Sequence, residues 1–229
     1  MRYSWLLFDA DGTLFDYDAA EAQALAATFR EVRVEEPAEA LEIYRRVNST
    51  LWLEFERGTT SQARLKVERF ELLFEATGIT ADPQLFSPLY LEHLSRRTDL
   101  IDGAETVISN LAERARMLLI TNGIAAVQRP RFSSSTIHHL FDGFVISEEV
   151  GAAKPAPEIF ESAFREMNHP GRADVLMIGD SLTSDIKGGN DFGIDTCWFN
   201  PAGMPADPEI EPTYQITSLR ELLTITDLE

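Results

Sequence analysis

The sequence of 229 residues has one cysteine, few basic residues and no long hydrophobic run. Because Cys197 has no second cysteine to pair with, an internal disulfide is excluded, which is typical of proteins from a reducing compartment. No apolar stretch approaches the roughly 20 residues that a membrane-spanning helix needs. Residues 1–8 lack the apolar core and the small-residue cleavage site of a signal peptide. We therefore expect a soluble, cytoplasmic protein.

The shortage of basic residues makes the protein strongly acidic. Lysine and arginine together number 20 against 38 aspartates and glutamates, which gives a formal net charge of -18 at pH 7. Such a surface repels phosphate backbones and anionic lipids, so neither a nucleic acid polymer nor a membrane is an expected partner. The 44% hydrophobic content is that of a folded protein and argues against extended disorder.

Short apolar runs alternate with amphipathic segments at the start of the chain and between residues 100 and 200. Residues such as Asn, Gly, Asp and Ser flank these apolar runs. Short apolar runs with such flanking residues are typical of buried strands. The predicted strands are Trp5–Phe8, Met117–Ile120, Phe144–Ile146, Val175–Ile178 and Thr196–Phe199. The alternation predicts an α/β fold, a Rossmann-like parallel sheet with helices on both faces.

Residues 17–98 have helical spacing of their apolar side chains and no convincing strand. Breaks fall at Pro37, Gly58, Gly78 and Pro83. Since about 80 residues can form a small core of their own, we predict a four-helix cap domain over 17–98. It is inserted into an α/β core made of residues 1–16 and 99–229.

Two aspartates follow the first predicted strand, with one residue between them. In an extended chain the side chains of residues i and i+2 point to the same side, so Asp9 and Asp11 would lie together. They would lie at the carboxyl end of the strand, where open parallel sheets bind ligands, and Gly12 would let the backbone turn there. Two carboxylates so close are unfavourable unless a cation lies between them or one is protonated. That favours a metal-assisted site over an ordinary acidic turn.

A third aspartate, Asp180, follows the predicted strand Val175–Ile178 in the same way. Asp9, Asp11 and Asp180 suit a hard divalent cation with oxygen ligands, most simply Mg²⁺. Asp185, one helical turn further on, can orient a metal-bound water or hold Lys154. The alternatives are that Asp180 caps the following helix and that Asp185 is a solvated first-turn acid.

Two further strand ends carry groups that suit a phosphate. The hydroxyl of Thr121 and the amide of Asn122 can donate to phosphate oxygens, although Thr-Asn-Gly is also a good turn sequence. Lys154 can neutralise a phosphoryl group, although a lone loop lysine is usually solvated.

In order along the chain, these strings resemble the four motifs of the haloacid dehalogenase-like hydrolases, and the helical insert lies where that family has its cap. The matching residues are Asp9-Ala10-Asp11-Gly12-Thr13, then Thr121, then Lys154, then Gly179-Asp180 with Asp185. One departure is Pro130, which predicts an interruption of the helix that follows Thr121.

The resemblance implies a set of roles for these residues. Asp9 would attack phosphorus and become an aspartyl phosphate, and Asp11 would act as general acid and then general base. The phosphoryl group would be bound by Thr121, Asn122 and Lys154. A Mg²⁺ ion would be held by Asp9, Asp180 and the backbone carbonyl of Asp11. The presence of Asp11 disfavours dehalogenation, because a halide leaving group needs no proton.

Shorter strings resemble the YjjG-like pyrimidine 5′-nucleotidases: Phe8–Asp11, Val47-Asn48, Leu51-Trp52, Val145–Gly151 and Thr196–Trp198. This resemblance implies hydrolysis of a small phosphate ester, with a pyrimidine nucleoside 5′-monophosphate favoured. The oligomeric state is not fixed by the sequence, and we expect a monomer or a homodimer. Three alternatives stay open: a phosphatase for a small phosphosugar or phosphoglycolate-type metabolite, a mutase, and a non-catalytic binding or regulatory module. Trp52, Phe55 and Phe15 are candidates to stack on a base, or else they pack in the core.

Overall fold

The structure is a computed structural model that describes residues 2–225. Within that range, no helix is long and apolar enough to cross a bilayer. The chain divides into two compact units: Met1–Tyr17, Asp99–Ala125 and Phe132–Glu229 form the first, and Asp18–Thr98 with Ala126–Arg131 form the second. The boundaries predicted from the sequence lie within one residue of the breaks at Tyr17 and Thr98. Residues 126–131, which the sequence analysis assigns to the core, group with the second unit.

The first unit is built on a six-stranded parallel sheet with the strand order β3-β2-β1-β4-β5-β6. The strands are β1 (Trp5–Phe8), β2 (Arg116–Thr121), β3 (Gly143–Ile146), β4 (Val175–Gly179), β5 (Asp195–Phe199) and β6 (Tyr214–Ile216). This arrangement confirms the predicted α/β fold with a parallel sheet. The edge strand β6 was not predicted, because three residues are too few to show a strand pattern.

The second unit contains four helices, which are α1 (Tyr17–Val32), α2 (Ala40–Glu56), α3 (Gln62–Thr77) and α4 (Pro83–Ser95). Local signals set their ends: the Ser61 side chain accepts a hydrogen bond from the Arg64 N–H before α3, and Gly78 ends α3 with φ +70°. Aromatic side chains fill the interior, with the ring centroids of neighbouring rings 4.9 to 5.6 Å apart. These rings belong to Tyr44, Phe70, Phe86 and Tyr90.

Further helices occur along the rest of the chain. They are α5 (Ala104–Ala112), α6 (Ala125–Ser134), α7 (Ser147–Val150), α8 (Pro157–Glu166), α9 (Lys187–Phe192) and α10 (Leu222–Ile225), with a π-helical turn over Leu182–Ile186. Successive side chains of a strand point to opposite faces. Leu6 of β1 therefore packs in one apolar cluster with Ile108 of α5, while Leu7 packs in the other with Phe160 of α8. Burial on both faces explains why β1 is apolar at every position.

The prediction that Pro130 interrupts the helix after Thr121 is wrong. Helix α6 continues through Pro130 from Ala125 to Ser134. A proline inside a helix removes one backbone hydrogen bond, but Val127 and Phe132, before and after it, are both buried. Their burial offsets the loss, so tertiary packing overrides the local preference.

An ion pair between a buried glutamate of α1 and an exposed arginine of α2 links these helices in the second unit. Glu21 is 2% exposed, and its Oε1 lies 2.5 Å from Nε of Arg45. Burial raises the pKa of Glu21 to about 7, although the hydrogen bond and charge of Arg45 act in the opposite direction. The folded protein therefore holds a proton on Glu21 at pH values where the unfolded chain has released it.

This raised pKa predicts a pH-dependent stability difference between wild type and Glu21→Gln. Because the folded state binds the proton more tightly, Glu21 contributes stability below about pH 4.5, and that stability is lost as the pH rises towards 7. Glutamine cannot ionise, so the free energy of unfolding of Glu21→Gln, minus that of wild type, should rise by about 3 kcal/mol between pH 4 and pH 8. Urea denaturation across this pH range measures the difference.

The matched control is Glu75→Gln, at an exposed glutamate of α3. Its difference from wild type should stay flat over the same pH range. A flat difference for Glu21→Gln as well would show that Glu21 ionises normally in the folded protein.

Candidate active site

Three aspartates come together at the carboxyl ends of β1 and β4, which are neighbours in the sheet. The Asp9 N–H donates to the Ile178 carbonyl over 2.9 Å and so extends the ladder between the two strands by one residue. Asp9 therefore lies beside Asp180, which directly follows β4. Carboxylate oxygens of Asp9, Asp180 and Asp185 all lie within 4.8 Å of one another. The structure thus brings Asp9 and Asp180 together, and it adds the side chain of Asp185 to the cluster.

Lys154 lies against this cluster and is 1% exposed. Its Nζ lies 2.5 Å from Oδ1 of Asp9 and 2.7 Å from Oδ1 of Asp185, and it donates to the Ile120 carbonyl over 3.0 Å. Three acceptors thus surround a group with three N–H donors. From the sequence, Asp185 was expected either to orient a metal-bound water or to hold Lys154. The structure shows the contact with Lys154.

The pKa values in the cluster reflect burial and charge together. Burial alone would lower the pKa of Lys154, but the charges of Asp185 and Asp9 outweigh it and raise that pKa above its usual range. Burial raises the pKa of Asp9, against the opposing charge of Lys154. Desolvation and the charges of Asp9 and Asp185 also raise the pKa of Asp180, although this side chain is accessible to solvent. The carboxylates of the cluster are therefore stabilised by binding either protons or a cation.

Two glycines make room for the carboxylates. Gly12 has φ +83°, and a Cβ at this position would lie 2.5 Å from Oδ2 of Asp180. A Cβ at Gly179 would overlap the carboxyl group of Asp185. Any side chain at either position would push an aspartate out of the cluster. Gly12 was singled out from the sequence for its backbone turn, whereas the close approach at both glycines was not foreseen.

Asn122 holds the backbone of Lys154 from both sides. Its Oδ1 accepts from the Lys154 N–H over 2.8 Å, and its Nδ2 donates to the Lys154 carbonyl over 2.9 Å. From the sequence, this amide was expected only as a donor to phosphate oxygens. Thr121 is buried at the end of β2, and its Oγ1 accepts from the Gly123 N–H over 3.0 Å. A hydroxyl that accepts one hydrogen bond can still donate its own hydrogen.

The loop after β4 is held by contacts that sequence reasoning missed. Nε1 of Trp198 donates to the Asp180 carbonyl over 2.8 Å, and the Ser181 N–H donates to Oδ2 of Asp185 over 3.1 Å. Trp198 lies on β5 directly opposite Gly179 of β4. The adjacency of two predicted strands could have suggested this pairing, but the direction of the indole could not be read from the sequence.

Asp11 is not one of the three carboxylates of the cluster and lies in a tight turn. The Gly12 N–H donates to the Phe15 carbonyl over 3.0 Å, and the Leu14 N–H donates to the Ala10 carbonyl over 2.9 Å. Asp11 is half-buried and close enough for its charge to raise the pKa of Asp9. Its roles as acid, base and carbonyl ligand stay predictions.

The aromatic candidates for base stacking have different surroundings. Phe15 is fully buried in the core of the first unit, so it has no face for a base. In the second unit Trp52 and Phe55 are half-buried and pack edge to face, with ring centroids 5.7 Å apart. A base contact by these two residues stays a prediction.

The donor set fits a hard divalent cation. Mg²⁺ prefers oxygen ligands such as carboxylates. Because Asp180 is accessible to solvent, an ion could reach the cluster from that side. Asp185 already has Lys154 and the Ser181 N–H as partners. Asp9 and Asp180 are therefore the side chains best placed to hold such an ion.

This fold and this set of residues define a hydrolase of the haloacid dehalogenase-like type. The sequence profile of the haloacid dehalogenase-like hydrolases matches residues 3–193, so the chain belongs to that family.

Individual relatives cover nearly the whole chain. HAD-hydrolase YfnB of Bacillus subtilis is 39% identical over 100% of this chain and 97% of its own length. Its crystal structure, determined with bound magnesium, covers 100% of both chains with a TM-score of 0.94 at 38% identity. Pyrimidine 5′-nucleotidase YjjG of Escherichia coli is 34% identical over 97% of each chain. Pyrimidine 5′-nucleotidase PynA of Streptococcus pneumoniae is 36% identical over 99% of this chain and 96% of its own.

The close approach at Gly12 predicts that Gly12→Ala weakens Mg²⁺ binding at least tenfold. The new Cβ would displace the Asp180 carboxylate, one of the two best-placed ligands. Isothermal titration calorimetry of the metal-free protein with Mg²⁺ measures the change.

Gly78→Ala is the matched control, because Gly78 has a similar φ of +70° but no atom within 4 Å of the position that a Cβ would take. It should lower stability by about 1 kcal/mol through backbone strain and leave Mg²⁺ binding unchanged. Equal Mg²⁺ affinity in Gly12→Ala and wild type would remove Asp180 from the ligand set.

Proposed function

We propose that the protein is a Mg²⁺-dependent phosphomonoester hydrolase that acts on pyrimidine nucleoside 5′-monophosphates through an aspartyl phosphate. The observation that carries this proposal is the buried Asp9 carboxylate, which lies 2.5 Å from Nζ of Lys154 and beside Asp180. Such a carboxylate, held next to a lysine and to acids that can bind a metal ion, is suited to attack phosphorus. The lysine and the metal would neutralise the negative charge of the phosphoryl group.

The reaction has two halves. In the first, a carboxylate oxygen of Asp9 attacks phosphorus, and the bond from phosphorus to the substrate oxygen breaks. Asp11 donates its proton to that leaving oxygen, which departs as the nucleoside hydroxyl. In the second, Asp11 takes a proton from water, the water oxygen attacks phosphorus, and the bond to Asp9 breaks. Inorganic phosphate leaves, and Asp9 and Asp11 return to their starting states.

Charge neutralisation is the main requirement of both halves. A bound Mg²⁺ would act as a Lewis acid on the phosphoryl oxygens. Lys154 supplies a second positive charge. Asp185 contacts its side chain, and Asn122 holds its backbone by accepting one hydrogen bond and donating another. The Thr121 hydroxyl, at the end of β2, is a further donor to a phosphoryl oxygen.

Phosphoester chemistry is favoured over dehalogenation by Asp11, which gives the leaving alcohol a proton. The nucleotide class is supported by the two relatives named as pyrimidine 5′-nucleotidases, each matched over nearly its whole length. The proposed substrate is thus a small molecule, in line with the net charge of -18, which disfavours a nucleic acid polymer.

The first test is the metal and nucleophile dependence of phosphate release. Excess chelator should abolish turnover, and added Mg²⁺ should restore it, because the acidic cluster needs a cation to admit an anionic substrate. Asp9→Asn should lower kcat by at least about 10³-fold, since an amide cannot form the acyl phosphate. A colorimetric assay for inorganic phosphate measures both.

Asp102→Asn is the control, because Asp102 is 94% exposed in the first unit and should leave kcat unchanged. Full activity of Asp9→Asn in the cell would favour a non-catalytic binding or regulatory module. Isomerised sugar phosphate without released phosphate would favour a mutase.

The second test compares substrates that differ only in the base. Deoxyuridine 5′-monophosphate should have a kcat/KM at least tenfold above that of deoxyribose 5-phosphate, which is about 1.4 kcal/mol of transition-state stabilisation from the base. Both esters present the same phosphate and sugar to the site. If sugar phosphates or phosphoglycolate are hydrolysed faster than every pyrimidine nucleotide, the substrate class is wrong and the reaction class stands.

A further inference from the structure

A cavity of about 380 Å³ opens on the first unit, away from the acidic cluster. Its walls come from α8, from the turn that follows α8 and from the end of α9. Arg172 in this wall precedes β4, whereas Asp180 follows β4. A strand of five residues spans about 16 Å, so the cavity lies at the opposite end of the sheet. The lining residues are Glu161, Phe164, Arg165, His169, Pro170, Arg172 and Phe192.

Three basic side chains share this cavity in a protein with a net charge of -18. They are Arg165, His169 and Arg172. Among residues 2–225, no carboxylate forms an ion pair with any of the three, although Glu161 lines the same cavity. Arg165 also lies in the last turn of α8, where a cation complements the helix dipole. That effect does not account for His169 or Arg172, which follow the helix.

Of the three basic side chains, which are all exposed, Arg172 is held by an aromatic ring. The guanidinium of Arg172 stacks over the ring of Phe192, with its Cζ 4.5 Å from the ring centroid. Asn168 and His169 have φ values of +63° and +54°, and Arg33 is the other non-glycine residue with positive φ among those that the structure describes. Left-handed residues are common where a helix ends, and here the His169 N–H donates to the Phe164 carbonyl of α8 over 2.8 Å. His169 therefore lies at the end of α8, where it lines the cavity.

We propose that this cavity is a second binding site, for a phosphate group carried by a small anion. Two guanidinium groups offer the forked N–H donors that match phosphate oxygens, and the imidazole adds a third donor direction. Phe164 and Phe192 close the floor, and both are almost fully buried. A volume of this size accommodates free phosphate or a small phosphate ester. The site is separate from the acidic cluster and independent of the proposed hydrolysis.

The test follows the His169 ring by NMR in the full-length, metal-free protein. His93, His138 and His139 lie outside the cavity and serve as internal references. The two probes are inorganic phosphate and a nucleoside 5′-phosphonate that cannot be hydrolysed, at constant pH and ionic strength. The His169 resonance should shift and saturate with at least one probe, while the three reference resonances stay in place. The tighter of the two probes identifies free phosphate or an ester as the natural form.

Arg165→Ala combined with Arg172→Ala should weaken this binding at least tenfold. Arg46→Ala combined with Arg57→Ala removes the same charge from exposed positions of the second unit and should leave it unchanged. If the double variant does not fold, Arg165→Ala alone, at an exposed position, should weaken binding about threefold. A His169 shift that does not saturate, or an affinity that the pocket variants share with wild type, would overturn the proposal.

Discussion

The ion pairs that Lys154 makes with Asp9 and Asp185 constrain the positions of the chain segments around them. An ammonium group that is 1% exposed is strongly destabilising unless carboxylates and hydrogen bonds surround it. Each partner comes from a different segment: Asp9 follows β1, Asp185 lies in the π-helical turn after β4, and Lys154 lies between β3 and α8. The buried charge is fully satisfied only when all three segments are in place, so the ion pairs tie the site to the end of the sheet.

Other residues near the cluster keep its members in the positions that these ion pairs require. Asn122 fixes the backbone of Lys154 through the Lys154 N–H and the Lys154 carbonyl, which sets the point from which the long side chain extends into the cluster. Trp198 fixes the carbonyl of Asp180 from the neighbouring strand. Gly179 gives the Asp185 carboxylate space against the backbone. None of these residues needs to touch a substrate to be required for the geometry of the site.

The sequence predicts the strands and the meeting of Asp9 with Asp180 because both depend on local pattern and on one topological rule. Apolar runs reveal strands, and the carboxyl ends of adjacent parallel strands meet at the same edge. Side-chain direction is different. That Asn122 turns towards Lys154, and that Trp198 turns towards Asp180, follows only from tertiary packing. Pro130 shows the same limit, since burial on either side of it overrides its local preference.

The charge at this end of the sheet explains why an acidic protein can admit an anion there. Three carboxylates, from Asp9, Asp180 and Asp185, and one ammonium, from Lys154, sum to two negative charges when all are ionised. A divalent cation would cancel that excess, so the cluster would no longer repel an anion. The pKa values of Asp9 and Asp180 are raised in the protein alone, which is how a cluster that needs positive charge behaves when only protons can supply it. At the far end of β4, the guanidinium groups of Arg165 and Arg172 supply positive charge without a metal, so the two proposed sites at the ends of this strand would bind anions by different means.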